Sequence, residues 1–309
     1  IVKILEAKRL WTLSALTKEI KINPPNTLFV PSHILPLKLP KRSVIMIHDV
    51  AFKLLRNSYS FFQYHYLNWS TKYAVKYASK ILVPSFATKQ DLINHFNCDE
   101  DKIEVIYHGF SKPKLITNKI SDSDLFSFFN INEKNKYLLF IGRLETKKNL
   151  PNLIRAFSLF QKEHPKYKLI LAGKRGVGFN KVFKTVQEEG LEKDVLMPGY
   201  ITEEEKDMLY KNCSAFVFPS LYEGFGLPIL EAFYYEKPIL CSNLSSLPEI
   251  AGDASIYCDP YDIGSIKKGL EDLIQNDEYI KQLIKKGSER LKKFTWTKAA
   301  KKTLKVIHG

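Results

Sequence analysis

Residues Phe218–Ala232 read FPSLYEGFGLPILEA, and this stretch holds two carboxylates, Glu223 and Glu231, with seven residues between them. Gly224-Phe225-Gly226 and Pro228 fill the interval, after the apolar run Ala215–Phe218. The pattern predicts a strand, a glycine turn and a helix starting near Leu227. Pro228 suits the first helical turn, where its missing N–H has no intrahelical partner to lose. The backbone amides of Gly224, Phe225, Gly226 and Leu227 are then expected to point out of the helix N-terminus, a natural seat for a phosphate. Glu231 falls one turn inside the helix and Glu223 at the mouth of the loop. Two acceptors flanking an anion seat suit a ligand with phosphates, sugar hydroxyls and a reacting sugar, which is a nucleotide-sugar site.

Outward from this block, short apolar runs alternate with amphipathic stretches, the pattern of βα units and a parallel sheet. Strands are expected at Thr27–Pro31, Val44–His48, Ile81–Pro84 and Ile103–Tyr107. A second series follows at Tyr137–Ile141, Lys168–Ala172, Asp194–Met197, Ala215–Phe218, Pro238–Cys241 and Ala254–Cys258. Helices are expected at Leu150–His164, Lys181–Glu189, Glu203–Asn212 and Ile263–Asn276. The polar stretch Ser111–Lys136 between the two series marks a linker. Its Asp122-Ser123-Asp124 has the spacing of a metal-binding DxD, but ahead of Leu125-Phe126 it reads as a helix cap. Arg143 and Lys148 follow the strand Tyr137–Ile141, at a carboxyl end, where α/β sheets bind ligands. Two cations there can neutralise a diphosphate without a metal.

At 309 residues the chain is long enough for two domains with separate cores. No apolar run approaches the ~20 residues that span a bilayer, and the opening IVKILEAKRLW has neither an h-region nor a cleavage site. The four cysteines (Cys98, Cys213, Cys241 and Cys258) show no CxxC spacing, so neither zinc nor a disulfide framework is indicated. A reduced, cytoplasmic chain is expected. The formal charge of +14 is uneven: residues 279–309 carry +9, residues 1–110 carry +7 and the middle carries −2. Basic ends around a near-neutral middle do not form a nucleic-acid channel. They fit either an anionic membrane surface met from the cytoplasmic side or a plain solvated lysine-rich tail.

With these pieces in order, the sequence resembles the family 4 glycosyltransferases, which have the GT-B fold. The Glu-x7-Glu block resembles that family's donor signature, and Gly142-Arg143-Leu144 with Lys147-Lys148-Asn149 resembles its G-R-x…K segment. His48-Asp49, Val83-Pro84-Ser85 and Tyr107-His108-Gly109 resemble features of its first domain, and Phe294-Thr295-Trp296 with Ala299-Ala300 resembles its returning C-terminal helix. The resemblance implies an α/β, GT-B architecture of two Rossmann-like domains facing across a cleft. Residues 1–110 would form an acceptor-side domain, 111–130 the linker, 131–293 the donor domain and 294–309 a helix crossing back. It implies a retaining, metal-independent transfer of a sugar from a nucleoside diphosphate, GDP-mannose before UDP-sugars, with no cofactor. The acceptor would be a glycan or a lipid-linked hydroxyl in cell-surface polysaccharide synthesis, at the inner membrane face.

In the same resemblance, Glu231 would bind the ribose hydroxyls, and Glu223 would hold sugar hydroxyls or developing positive charge. Arg143, Lys148 and the amides of Gly224 to Leu227 would stabilise the diphosphate. Gly173, Lys174 and Tyr200 would lie near the nucleobase, and His48 against the transferred sugar, with Asp49 orienting its imidazole. The first domain departs from the family pattern: no glycine occurs before Gly109, and only about four strands are expected. Either the chain is a fragment or a second chain supplies the rest. Two alternatives stay open, a non-catalytic nucleotide-sugar-binding subunit and a nucleotide-sugar 2-epimerase.

Three further patterns have plainer readings. Gly173 to Gly178 is glycine-rich after a strand but lacks GxGxxG spacing, so a dinucleotide site is not indicated. Ser246-Leu247-Pro248-Glu249 fits a capping box. Phe62, Tyr66, Trp69, Tyr73 and Tyr77 recur on one helical face, expected to be core, with membrane docking or lipid-acceptor binding as the alternative.

Overall fold

The computed structural model describes residues 2–7, 9–113, 136–275 and 277–309. Most of the expected linker, with Asp122-Ser123-Asp124, lies outside the described residues. The chain divides into two compact units, Ile1–Gly109 with Trp296–Gly309, and Phe110–Thr295.

The first unit is built on a parallel sheet in the order β1-β2-β3-β4: β1 Thr27–Val30, β2 Arg42–Met46, β3 Lys80–Val83 and β4 Ile103–Val105. Its helices are α1 Thr17–Ile22, α2 Ala51–Leu54, α3 Phe61–Tyr77 and α4 Phe86–Phe96. Strand β2 is buried from Ser43 to Met46, and Val44, Ile45 and Met46 form an apolar run because both of its faces are covered. Ile45 and Ile47 pack with Phe52, Leu92 and Val83 on one side, while Val44 and Met46 pack with Leu82, Ile106 and Ala299 on the other. Ala299 and Val306 belong to the C-terminal helix Trp296–His308, which covers that second face. Arg42 Nη2 donates to the Val306 carbonyl at 2.6 Å and ties the helix to the sheet.

Helix α3 corrects the aromatic-face expectation. A capping box between Ser60 and Gln63 starts it, but its buried residues are the small Ser70, Thr71 and Ala74. The inward side carries small side chains that let the helix approach, so Phe62, Trp69 and Tyr77 of the aromatic stripe stay exposed, while Tyr66 is half-buried and Tyr73 packs against the core. Tyr66, Trp69, Tyr73 and Tyr77 stack on one another along the helix, with ring centroids 4.7–6.2 Å apart. Phe61 and Phe62 at its start are exposed.

The second unit holds a parallel sheet in the order β10-β9-β8-β5-β6-β7. The strands are β5 Lys136–Ile141, β6 Tyr167–Ala172, β7 Val195–Gly199, β8 Ala215–Phe218, β9 Ile239–Ser242 and β10 Ile256–Cys258. Helices α5 Leu150–Glu163, α6 Phe179–Glu188, α7 Glu203–Asn212, α8 Leu227–Tyr234, α9 Leu247–Ala251, α10 Ile263–Gln275 and α11 Asp277–Leu291 complete it. Strand β7 runs two residues further than expected, through Pro198. At the sheet edge a missing N–H disrupts no ladder on the outer side, and the β6–β7 register shifts next to it. The sheet order reverses between β5 and β8, so the loops leaving their carboxyl ends open side by side. Ligands bind at this switch point in open α/β sheets.

Candidate active site

The loop after β8 is shaped by its glycines and by serines from the following turn. Gly226 caps α8 at φ 105°, a left-handed conformation that favours glycine. A Cβ there would approach Leu247 Cδ2 to 2.9 Å. Helix α8 starts at Leu227, with Pro228 in its first turn and no side chain capping its end. Ser246 is the correction here. The expected capping box is absent, because Ser246 is itself in helical conformation and makes no cap bond. Its Oγ instead lies 2.9 Å from the carbonyl oxygens of both Glu223 and Phe225. Ser245 Oγ accepts from the Glu223 amide at 3.1 Å and donates to the Glu223 carbonyl. The two hydroxyls clamp the backbone that carries Glu223.

The Glu223 side chain meets Lys148, which arrives from the loop after β5. The two form an ion pair in which both residues are buried, 8% exposed for Lys148 and 9% for Glu223. Lys148 Nζ also sits 5.0 Å from the centre of the Phe218 ring. The lysine is delivered by a left-handed turn at Asn149, φ 60°. Asn149 Nδ2 donates to the Pro260 carbonyl at 2.6 Å, and Lys147 O accepts from the Leu221 amide at 2.8 Å. The first bond ties the β5 loop to the loop after β10, and the second joins the β5 and β8 loops.

Glu231 lies in α8, where Tyr210 Oη donates to its Oε2 at 3.0 Å and Lys206 Nζ to its Oε1 at 3.2 Å. Burial, and then Glu231, holds the Tyr210 phenol protonated far above its ordinary range. Burial works against the Lys206 charge, but Glu203 and Glu231 outweigh it and raise its pKa. Tyr210 and Lys206 were not singled out in the sequence. They lie four apart on α7, the spacing of one helical face.

Arg143 is exposed on the β5 loop, which zips to the loop after β6. Leu144 N donates to Lys174 O at 2.9 Å, Gly176 N to Leu144 O at 3.0 Å and Thr146 N to Val177 O at 2.9 Å. Gly173 allows the junction: at φ 144°, a Cβ on it would fall 1.9 Å from the Gly142 carbonyl oxygen. Lys174 Nζ lies 4.6 Å from the centre of the exposed Tyr200 ring. Beside them, Gly173, Arg175, Phe179, Met197 and Gly199 line a cavity of 210 Å³. Arg143, Lys148, Gly173, Lys174, Tyr200, Glu223 to Leu227 and Glu231 thus all stand on loops and helix starts beyond the carboxyl end of one sheet.

His48 belongs to the first unit, two residues beyond β2. Asp49 does not orient it: its Oδ1 accepts from the Ala51 amide at 3.0 Å, starting α2. The His48 ring instead has Nε2 3.0 Å from the Pro31 carbonyl and Nδ1 3.3 Å from His108 Nε2. A short Asx link to the next helix competes better for Asp49 than a ring on the neighbouring residue. All four cysteines are buried and free, in keeping with inert packing thiols. Among the described residues, no group of three His, Cys, Asp or Glu side chains is arranged to hold a metal. No helix among them is long and apolar enough to cross a membrane.

Comparison with known proteins places this arrangement. Residues 121–290 match the family model of glycosyl transferases group 1, and residues 6–111 match that of glycosyltransferase family 4. The chain is a family 4 glycosyltransferase. It is 30% identical to the O-antigen chain mannosyltransferase B of Escherichia coli over 89% of its own length and 72% of the relative's. It is 26% identical to the serotype-specific mannosyltransferase WbdA of Escherichia coli over 85% of its length, but spans only 33% of that protein. The fold matches that of sucrose-phosphate synthase from Thermosynechococcus elongatus with TM-score 0.75 at 18% identity, over 95% of this chain and 76% of that one. The two-sheet α/β architecture is therefore GT-B.

Proposed function

We propose that this glycosyltransferase moves mannose from a nucleoside diphosphate, GDP-mannose by preference, to a hydroxyl of a glycan or lipid-linked acceptor in cell-surface polysaccharide synthesis. One observation carries the reading. The buried Lys148–Glu223 pair and the Tyr210–Glu231–Lys206 group flank the same glycine-rich helix start at the sheet's switch point. Glu231 is held to accept from the ribose hydroxyls. Arg143, Lys148 and the amides from Gly224 to Leu227 take the diphosphate, and the cavity beside Gly173, Lys174 and Tyr200 takes the base.

As the bond from the anomeric carbon to phosphate breaks, negative charge grows on the phosphate oxygens and positive charge on the sugar. Groups already fixed around those positions stabilise that state more than the ground state. Lys148 can turn from Glu223 toward the phosphate while Glu223 turns to the sugar, so the resting pair holds each charge in place for the other. For His48 the family resemblance supports the role of contacting a hydroxyl of the transferred sugar. The chemistry needs neither metal nor cofactor, since the cations are side chains. The mannosyl preference rests on the names of the two mannosyltransferase relatives.

The test is a thermal-shift panel of GDP, UDP, ADP and NAD on wild type and Glu231→Ala, followed by product analysis. A ligand at a hundred times its Kd adds about 2.7 kcal/mol, several degrees in a protein of this size. A shift with one diphosphate that is lost in Glu231→Ala supports the donor site. Mannose transferred to a lipid-linked glycan supports the full reading. Conversion of the donor sugar to its 2-epimer without an acceptor would replace it, as would nucleotide binding with transfer only after a second chain is added.

A peripheral membrane position goes with this reading. In the first unit Arg42, Lys80, Lys302 and Lys305, with Glu104, line a cavity of 590 Å³, a basic recess suited to lipid phosphates. Co-sedimentation with phosphatidylglycerol vesicles but not with phosphatidylcholine vesicles is the expected result. Equal pelleting with both would remove the electrostatic argument.

A further inference from the structure

His48 is bracketed by two contacts that together dictate where its proton sits. The Pro31 carbonyl, 3.0 Å from Nε2, is an acceptor only. Nε2 must therefore carry the hydrogen. In a neutral imidazole Nδ1 is then a bare lone pair, and it faces His108 Nε2 at 3.3 Å. That contact is a hydrogen bond only if His108 carries its own hydrogen on Nε2. With both rings uncharged, no other tautomer of either ring satisfies both contacts. His108 is kept uncharged by its surroundings: burial, and then the nearby His48, lowers its pKa to about 4. Its ring also packs 5.8 Å from that of Trp296, and the His48 ring lies 5.3 Å from that of His33.

We propose that His108 is a positioning residue that donates from Nε2–H to His48 Nδ1 and so fixes His48 as the Nε2–H tautomer, a hydrogen-bond donor aimed at a substrate hydroxyl oxygen. The substrate part rests on the reading above that His48 meets the transferred sugar. Pro31 is exposed, so an incoming hydroxyl oxygen can reach the Nε2–H and take the carbonyl's place without any change of tautomer. In this arrangement His48 does not act as a base, because its only lone pair is occupied by His108. The tautomer is set before the sugar arrives, so no proton has to move on binding.

Two variants separate this role from packing. His108→Gln keeps an N–H donor near the position of Nε2, whereas His108→Phe keeps an aromatic ring against Trp296 and loses the donor. The direct readout is long-range proton–nitrogen NMR on protein labelled with ¹⁵N-histidine, with the His48 signals assigned from a His48→Ala spectrum. Wild type and His108→Gln should show His48 protonated at Nε2 and bare at Nδ1, and His108→Phe should show a mixture of tautomers. Mannosyl transfer should fall roughly tenfold in kcat/KM in His108→Phe, about the worth of one neutral hydrogen bond. It should recover in His108→Gln, with melting temperatures matched. A His48 found protonated at Nδ1 in wild type, whether as the other tautomer or as the cation, overturns the proposal. So does an unchanged Nε2–H tautomer in His108→Phe. If the tautomers behave as expected but His48→Ala transfers at the wild-type rate, the proton assignment stands and the substrate reading of His48 fails.

Discussion

Replacing Lys148 with Met separates what the Lys148–Glu223 pair does for the fold from what it does for the chemistry. Methionine keeps most of the lysine stem, and its packing on Phe218, while removing the charge. Glu223 is then left 9% exposed with no cation opposite it. At a normal charge-assisted length of about 2.8 Å and an effective dielectric of about 20, the lost attraction is roughly 6 kcal/mol. Part of that is returned as water and neighbouring groups rearrange, and breaking a buried pair from one side costs about 3–5 kcal/mol in practice. At 2–4 °C per kcal/mol for a unit of this size, the melting temperature should fall by roughly 6–20 °C. The double variant Lys148→Met/Glu223→Gln removes both charges and should regain most of the stability, because a pair replaced as a whole is close to neutral. Transfer activity should be lost in both variants, since the double change restores the fold without restoring either charge. Urea or thermal melts give the first comparison and mannosyl transfer the second. If the single variant is as stable as the double one, the carboxylate is not desolvated, and the account of the pair as a stored charge couple fails.

Three other perturbations follow from the same geometry. Tyr210→Phe removes the 3.0 Å bond to Glu231 Oε2; a hydrogen bond to a charged group is worth about 1.5–3 kcal/mol, so calorimetry should show nucleotide binding weakened about tenfold or more, and an unchanged Kd would mean Lys206 orients Glu231 unaided. Gly173→Ala should unseat the junction of the β5 and β6 loops, because its Cβ would overlap the Gly142 carbonyl oxygen; a melting temperature and donor affinity equal to wild type would show that the loop relaxes freely. Alkali should destabilise the protein through its thiols, since burial pushes Cys213 and Cys258 to about 12 from an ordinary value of 9.0. Between those values the unfolded thiol is ionised and the folded one is not, so the folded state binds more protons and stability falls as pH rises. At pH 10 each thiol accounts for about 1.4 kcal/mol, and urea melts of Cys213→Ala should show a smaller loss between pH 8 and pH 10 than wild type; equal losses would place the effect elsewhere.

The parallel sheets were legible because buried strands such as Tyr137–Ile141 and Ala215–Phe218 are unbroken apolar runs between glycine and proline punctuation. Strand ends were less so, since Pro198 reads as a break but sits harmlessly on an edge. The residues of the Glu-x7-Glu block lie close together in sequence, so their shared loop could be read directly. Tyr210, Lys206 and the Ser245–Ser246 clamp could not, because they come from other βα units and only the fold sets them beside Glu231 and Glu223. Ser246 and Asp49 misled for one reason. Short polar side chains have several partners within reach, and local pattern favours the nearest in sequence over the nearest in space. The aromatic stripe of α3 misled in part: Tyr73 does pack against the core, but the close approach made by Ser70, Thr71 and Ala74 leaves Phe62, Trp69 and Tyr77 exposed.

The assignment of the helix Trp296–His308 to the first unit bears on how the molecule is made. The second unit, Phe110–Thr295, is continuous in sequence and has all its strands once residue 258 is synthesised. The first unit starts earlier on the ribosome but finishes later. Val44, Met46, Leu82 and Ile106 pack with Phe29 early, but lack Ala299 and Val306 of the covering helix until the chain's last residues emerge. The usual order, in which the amino-terminal domain folds first during synthesis, is thus reversed for the completed state. Through most of translation the nascent chain carries an open apolar sheet face, and for that interval it is a client for chaperones and a hazard for aggregation. A polypeptide stopped before residue 296 would keep its second unit and never close its first.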